Sequence, residues 1–248
     1  MTTTTLVITL FCATFALLGL AAWVLARKLR RLRSMLRRQE RHVWETQNIF
    51  RALQGGAALP VPGGWAASTD LLGELLRAIA QRRPRCVVEL GSGVSTLVIA
   101  AALRANGLGR LISIDGDEAY AAATREQLLR QGLEPWVELR YAPLTQMSFE
   151  GVARPWYDTQ VLSDLSDVEL LLIDGPPTAL RADMRYPALP FFWPRLAPGA
   201  IVLLDDAARP AEQAMARAWQ RQFPAASYEY LHLEKGALRI IRTAATPA

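Results

Sequence analysis

The sequence predicts an α/β domain with a doubly wound, mostly parallel seven-stranded sheet and a C-terminal antiparallel hairpin, preceded by a transmembrane helix and a helical stalk. Three observations predict it. Short apolar runs of strand length alternate with longer stretches whose apolar residues recur at helical spacing, the pattern of strand–helix–strand units. Runs such as Leu170-Leu171-Leu172-Ile173 are apolar at every position, which suits strands covered on both faces of a sheet. The first 54 residues carry no strand pattern: an uncharged stretch gives way to a basic one.

Leu6 to Ala26 is 21 residues without a charged side chain. As a helix it spans roughly 31 Å, about the hydrocarbon thickness of a bilayer. A cleaved signal peptide wants a positive region before a shorter apolar stretch, whereas here nothing positive precedes and an arginine cluster follows. The positive-inside rule then places everything after Arg27 in the cytoplasm, on a single-pass anchor in the cell membrane. No Gly or Pro interrupts residues 27–54, so the helix is expected to continue as a stalk. Leu29, Leu32, Leu36, Gln39, Val43, Thr46, Phe50 and Leu53 form a heptad seam through which two copies can pair into a homodimer. The same segment also reads as a basic helix lying on anionic headgroups, and both readings stay open. Gly55-Gly56 and Pro60-Val61-Pro62-Gly63-Gly64 end it. The expected organisation is an anchor over 1–26, a stalk over 27–56 and a globular domain over 57–248.

The 248 residues carry a net charge of +5, but the charge is local. Residues 27–51 hold nine basic side chains against two acidic ones, and the rest holds nineteen basic and twenty-one acidic. A slightly acidic folded domain gives no support for nucleic-acid binding. Cys12 and Cys86 both lie in apolar runs, which excludes a disulfide framework and a cysteine zinc site. His42 and His232 are too few for a histidine-rich metal centre.

Within the domain, Asp70 to Gln81 reads as a helix with Leu71, Leu72, Leu75 and Ile79 on one side. Cys86–Leu90 is a strand, followed by a helix over 95–104. Leu111–Ile114 is a strand and 118–130 a helix. Val137–Tyr141 and Leu170–Ile173 are strands, and a helical region over 184–195 leads to the strand Ala200–Leu204. Pro210 suits the first turn of a helix running to Gln222. Tyr228–Leu233 and Leu238–Ile241, joined by Glu234-Lys235-Gly236, form the closing hairpin.

In such sheets ligands lie beyond the carboxyl ends of the strands. The first strand ends in Glu89-Leu90-Gly91-Ser92-Gly93-Val94-Ser95-Thr96, where the glycines permit a tight turn and close approach of backbone to a ligand. Asp115 ends the next strand, and a carboxylate there can accept both hydroxyls of a ribose, so an adenosine-type ligand is expected. Asp174, Asp205 and Asp206 end two further strands. Carboxylates so placed repel unless a proton or cation intervenes, and oxygen ligands suit a hard ion such as Mg²⁺. A plain structural reading also fits, with Asp174 in a Gly-Pro-Pro turn and Asp206 capping the helix at Pro210.

Glu89-Leu90-Gly91-Ser92-Gly93, Ile114-Asp115-Gly116-Asp117, Ile173-Asp174-Gly175-Pro176-Pro177 and Leu204-Asp205-Asp206-Ala207 resemble, in that order, the motifs of class I S-adenosylmethionine-dependent methyltransferases. The nearest branch is that of the small-molecule O-methyltransferases, which includes catechol O-methyltransferase. The resemblance covers residues 65–245 and implies a Rossmann-like fold. The cofactor-binding set it implies is Glu89, Gly91, Ser92, Gly93, Ser95, Asp115, Gly116, Ala142 and Asp174. Of these, Gly91 to Gly93 would cradle the methionine part, Asp115 the ribose and Ala142 the adenine, while Trp65 to Asp70 resembles the segment that lines cofactor and substrate. Asp174, Asp205 and Asp206 would hold Mg²⁺ or another divalent metal that acidifies the acceptor hydroxyl, with Asp174 and Asp206 as the catalytic residues.

One departure stands out. The catechol-type enzymes carry a base lysine three residues after the metal-binding aspartate, where this chain has Pro177, and neither Lys28 nor Lys235 is expected nearby. His232 is expected on an edge strand. Arg181, Arg185 and Tyr186 are candidates to hold an anionic or polyhydroxylated acceptor, and Trp65, Trp156, Tyr157 and Trp193 to line its pocket. The resemblance thus implies an enzyme that O-methylates a small hydroxylated acceptor, and the anchor read from Leu6–Ala26 adds a membrane location and a lipid-linked acceptor as an expectation. An NAD-binding protein is the rival for the glycine loop, although its fingerprint wants Gly at position 96, where Thr stands. The competing class is a non-catalytic, membrane-tethered scaffold that binds S-adenosylmethionine.

Overall fold

In the computed structural model, residues 3–53, 67–178 and 181–243 are described, without the side chains of 3–13, 34, 37–42, 50 and 52. The linker Pro60–Gly64 and Trp65 therefore lie outside the described residues. The chain divides into two compact units, Met1–Trp44 and Glu45–Ala248.

The helix α1 (Thr3–Ala52) runs through the first unit and into the second. In the first unit Phe15, Leu17, Leu18, Leu20, Trp23, Val24 and Leu25 are exposed, as are Leu29, Leu32, Leu36 and Val43 of the heptad seam. The seam's Gln39 and Phe50 side chains lie outside the described residues. Among the described residues, no helix is long and apolar enough to cross a membrane. The span expected over Leu6–Ala26 falls only partly on described side chains, which begin at Thr14; residues 14–26 reach about 20 Å as a helix, short of a bilayer core.

In the second unit, Ile49 and Leu53 at the end of α1 are buried in the domain core, and Glu45 pairs with Arg77 at 3.5 Å. Then follow α2 (Thr69–Arg82), β1 (Cys86–Leu90), α3 (Val94–Asn106), β2 (Arg110–Asp115), α4 (Glu118–Arg130), β3 (Val137–Tyr141), β4 (Leu144–Phe149) and β5 (Val152–Tyr157). The rest is β6 (Val168–Ile173), α5 (Ala188–Phe192), β7 (Leu196–Asp205), α6 (Pro210–Gln222), β8 (Ser227–Leu231) and β9 (Ala237–Ile241). The main sheet has seven strands in the order β3-β2-β1-β6-β7-β9-β8, parallel from β3 to β7 and antiparallel through β9 and β8. Successive residues of the apolar strands feed opposite cores: Leu170 and Leu172 join α2 and α3 on one face, Leu171 and Ile173 join α5 and α6 on the other.

Two elements differ from expectation. The hairpin β4–β5 was not anticipated, because Pro155 and Arg154 interrupt any clean alternation. Its signal is the pair Glu150-Gly151, both at positive φ (52° and 75°), which makes the two-residue turn that right-twisted hairpins favour. The helix expected over 184–195 shrinks to five residues plus a 3₁₀ turn, since Pro187, Pro190 and Pro194 remove backbone donors.

Strand register positions the site. Leu90 lies beside Ile114 on one side and Ile173 on the other, and Ile173 lies beside Leu204. The next residues along, Gly91, Asp115, Asp174 and Asp205, therefore form one row at the carboxyl edge. The row straddles β1 and β6, where the strand order reverses and a crevice opens.

Candidate active site

A cavity of about 410 Å³ opens at this crevice, lined by Gly91, Ser92, Asp115, Gly116, Asp117 and Tyr120 on one side and by Asp174, Gly175, Pro176, Pro177, Arg185 and Asp206 on the other. Leu144, Tyr157, Arg209 and Lys235 complete it. The turn after β1 is fixed by the backbone: Gly91 N–H donates to Ile114 O at 2.8 Å, and Asp174 N–H donates to Leu90 O at 3.0 Å. Gly91 has φ +94°, and a Cβ there would stand 3.1 Å from Gly175 N, so a side chain would strain the turn and crowd the neighbouring loop.

Asp115 Oδ2 accepts from Ser92 N–H at 2.9 Å and Ser92 Oγ at 2.5 Å, and its Oδ1 accepts from Asp117 N–H at 2.9 Å. The carboxylate is thereby locked over the glycine turn with lone pairs left toward the cavity. Beneath the turn, Glu89 is fully buried, and its Oε2 accepts from Thr96 Oγ1 at 2.5 Å and Ser113 Oγ at 2.7 Å. Thr96 Oγ1 also accepts from Gly93 N–H at 2.9 Å, so the residue that departs from the NAD fingerprint is the one that braces this turn.

Burial raises the Glu89 pKa to about 7; hydroxyls of Ser95, Thr96 and Ser113 oppose the rise and the Asp115 charge adds to it. Because the folded value lies above the unfolded 4.5, the contribution of protonated Glu89 is complete below about pH 4.5 and is lost as pH climbs through about 7. Glu89→Gln cannot ionise, so its stability relative to wild type is expected to rise by about 3 kcal/mol between pH 5 and pH 9. Urea unfolding at the two pH values checks this; a difference that does not change with pH would show that the charge is fully compensated in the fold.

The expected cofactor set thus comes together in part at the cavity. Gly91, Ser92, Asp115, Gly116 and Asp174 line it, Glu89 and Ser95 are buried, and Gly93 is not part of the lining. Ala142 is fully buried, with its N–H bonded to Asp115 O at 2.8 Å, and Leu144 is the residue of that segment that reaches the cavity.

The three carboxylates also meet: Asp174, Asp205 and Asp206 place oxygens within 4.8 Å of one another. Asp206 has a left-handed backbone, φ +60°, which costs about 1 kcal/mol for a residue with a Cβ and marks the turn as built for this placement. Burial raises the Asp174 pKa well above the ordinary range, reinforced by Asp205 and Asp206 and opposed by Arg185. Burial likewise lifts Asp205 to about 6. The fit of a divalent ion fails on the neighbour they share. The Arg185 guanidinium, 3% exposed, already donates to Asp174 Oδ1 at 3.3 Å and to Asp206 Oδ2 at 3.1 Å, and Arg209 pairs with Asp206 Oδ2 at 2.9 Å.

Several acceptor candidates have other work. Arg181 bonds Ala153 O and Asp183, Arg154 bonds Asp183 Oδ2 at 2.8 Å, and Tyr186 donates to Glu150 Oε2 at 2.6 Å, so this group ties the β4–β5 hairpin to the segment before α5. Trp156 is fully buried against Phe149 and Phe191, and Trp193 stacks on Phe223 at 4.4 Å; of the described aromatics named from sequence, only Tyr157 lines the cavity. His232 follows β8, edge-on to Tyr230 at 5.1 Å. The expectation about the lysines is corrected: Lys235 lines the cavity. Because β9 runs antiparallel beside β7, with Ala237 opposite Asp205, the hairpin turn is carried to the carboxyl edge, where Ala208 N–H donates to Lys235 O at 3.1 Å. Arg209, Tyr120 and Leu144 were also missed, Arg209 although it lies three residues from Asp206.

Residues 88–207 match the family model described as "Methyltransferase domain". No curated protein matches the chain. Among solved structures, an O-methyltransferase from Bacillus cereus in complex with SAH is 20% identical, with TM-score 0.54 over 79% of this chain and 91% of that one. An O-methyltransferase from Streptomyces achromogenes involved in tomaymycin synthesis, in complex with SAM, is 16% identical, with TM-score 0.55 over 81% and 90%. An SAH-bound methyltransferase from Podospora anserina is 17% identical, with TM-score 0.57 over 73% and 81%. At these identities the likeness to the solved structures is one of fold. Residues 88–207 are a methyltransferase domain, and the chain is a methyltransferase.

Proposed function

We propose that this methyltransferase takes its methyl group from S-adenosylmethionine and passes it to a hydroxyl oxygen of a small or lipid-linked acceptor at the cytoplasmic face of a membrane. The observation that carries the cofactor is the Asp115 carboxylate, locked by Ser92 and Asp117 over a bare glycine turn at the mouth of the switch-point cavity. The SAH and SAM complexes of the structural neighbours support the same reading. Bound there, the cofactor supplies an electrophilic methyl group on a sulfonium. The chain's own part is to hold the adenosine side with Asp115 and the Gly91–Ser92 turn, to wall off water with Tyr157 and Leu144, and to bring the acceptor oxygen into line. In this reading Asp174, which lines the cavity, takes the proton of the acceptor hydroxyl when ionised.

The membrane reading rests on Leu6–Ala26, the basic residues after it and the exposed apolar side chains of Phe15 to Leu25. Exposed Leu29, Leu32, Leu36 and Val43 support pairing of two copies along the same helix. Calorimetric titration of the full chain with S-adenosylmethionine and with NADH tests the cofactor: micromolar binding of the first alone is expected, and tighter binding of NADH would overturn it. Retention of the chain in membranes after alkaline carbonate washing is the expected result for the anchor; release into the wash would refute it.

A further inference from the structure

Three carboxylates whose oxygens come within 4.8 Å of one another repel unless protons or positive charge stand among them. In this chain Arg185 supplies the charge. Arg185 makes five hydrogen bonds: Nη2 to Asp174 O at 2.7 Å and Asp174 Oδ1 at 3.3 Å, Nη1 to Asp205 O at 3.3 Å and Asp206 Oδ2 at 3.1 Å, and Nε to Pro176 O at 3.4 Å. A guanidinium has five N–H donors, and all are spent inside the protein. Three of the acceptors are backbone carbonyls of the two site loops, so the group is held by the fold itself as well as by its charge partners.

We propose that Arg185 is the resident cation of this centre: its guanidinium fills the space between Asp174 and Asp206 in which a divalent ion would otherwise sit, and the domain works without a metal. A Mg²⁺ ion needs oxygens at about 2.1 Å and near-octahedral room. The two oxygens that would face it already accept N–H groups, and Asp206 Oδ2 accepts a second from Arg209 at 2.9 Å. Entry of an ion would expel Arg185 and leave the three carbonyls without their donors. Arg185 also has no easy exit. The next residue, Tyr186, stacks on Trp219 at 6.4 Å, and Trp219 Nε1–H donates to Tyr186 O at 3.1 Å, which pins the backbone from which the guanidinium reaches. With its donors spent, Arg185 is a positioning residue for Asp174 and Asp206 and offers the acceptor no hydrogen bond.

The carboxylate centre holds Arg185 whatever the methyl donor is, so the two can be tested separately. The test of the centre is titration of the full chain with Mn²⁺, followed by the paramagnetic resonance signal of the free ion, with and without S-adenosylhomocysteine. No uptake is expected up to about 1 mM, and dialysis against EDTA should leave the melting temperature unchanged. Arg185→Ala is expected to gain Mn²⁺ affinity by about tenfold or more, a gain that Asp206→Asn in the same chain removes. Should circular dichroism show that Arg185→Ala does not fold, the wild-type titration alone decides. One Mn²⁺ bound per wild-type chain at micromolar concentration, and lost in Asp206→Asn, would overturn the proposal. A folded chain that takes up neither Mn²⁺ nor S-adenosylmethionine would refute the donor while upholding Arg185.

Discussion

Asp115→Ala is expected to weaken S-adenosylmethionine binding by about 100-fold, or roughly 2.7 kcal/mol, with little change in fold. Two losses combine. In the proposed cofactor site the carboxylate would accept the ribose hydroxyls, and in the structure it is the acceptor that holds Ser92 N–H, Ser92 Oγ and Asp117 N–H. Without it the glycine turn loses its lock, and those donors must find water. Asp115→Asn sharpens the test. Its amide keeps the shape, but whichever end carries the NH₂ faces a backbone donor, Ser92 N–H on one side or Asp117 N–H on the other. Asn is therefore expected to bind little better than Ala. Calorimetry on the three chains decides; an Asp115→Ala chain within threefold of wild type would remove this residue from the cofactor site.

Trp219→Ala is expected to cost about 3–5 kcal/mol of folding stability, the largest effect of any core substitution considered. Trp219 is fully buried on α6, lies against Tyr186 and donates to its carbonyl. Its removal leaves a cavity beneath the segment that carries Arg185. Trp219→Phe keeps most of the volume and loses the N–H, for about 1–3 kcal/mol from the unpaired Tyr186 carbonyl and the smaller ring. Urea unfolding of the three chains gives the comparison. If Ala and Phe were equally mild, α6 would not be what holds that segment in place.

Much of the fold was legible because its determinants are local. Apolar runs of four or five residues between helical stretches give buried strands, and Leu170 to Ile173 shows it: neighbours in sequence enter opposite cores. The β4–β5 hairpin was hidden because its strands carry Pro155 and Arg154, and its one clear signal is a two-residue turn. At the site, Gly91, Ser92, Asp115 and Asp174 could be named in advance, since each follows directly on a strand whose end is visible as the end of an apolar run. Lys235 could not be placed, because its position depends on β9 lying antiparallel beside β7.

The sequence by itself determined which residues end the parallel strands, and hence that glycines and aspartates share one edge of the sheet. That follows from chain-local patterning. Only the tertiary structure decided what stands among the aspartates. Arg185 lies far along the chain from Asp205 and Asp206, in a segment broken by prolines, and it reaches them because Tyr186 and Trp219 fix its backbone over the site. The identity of a counter-charge is a matter of packing in three dimensions, and no spacing of residues along the chain encodes it.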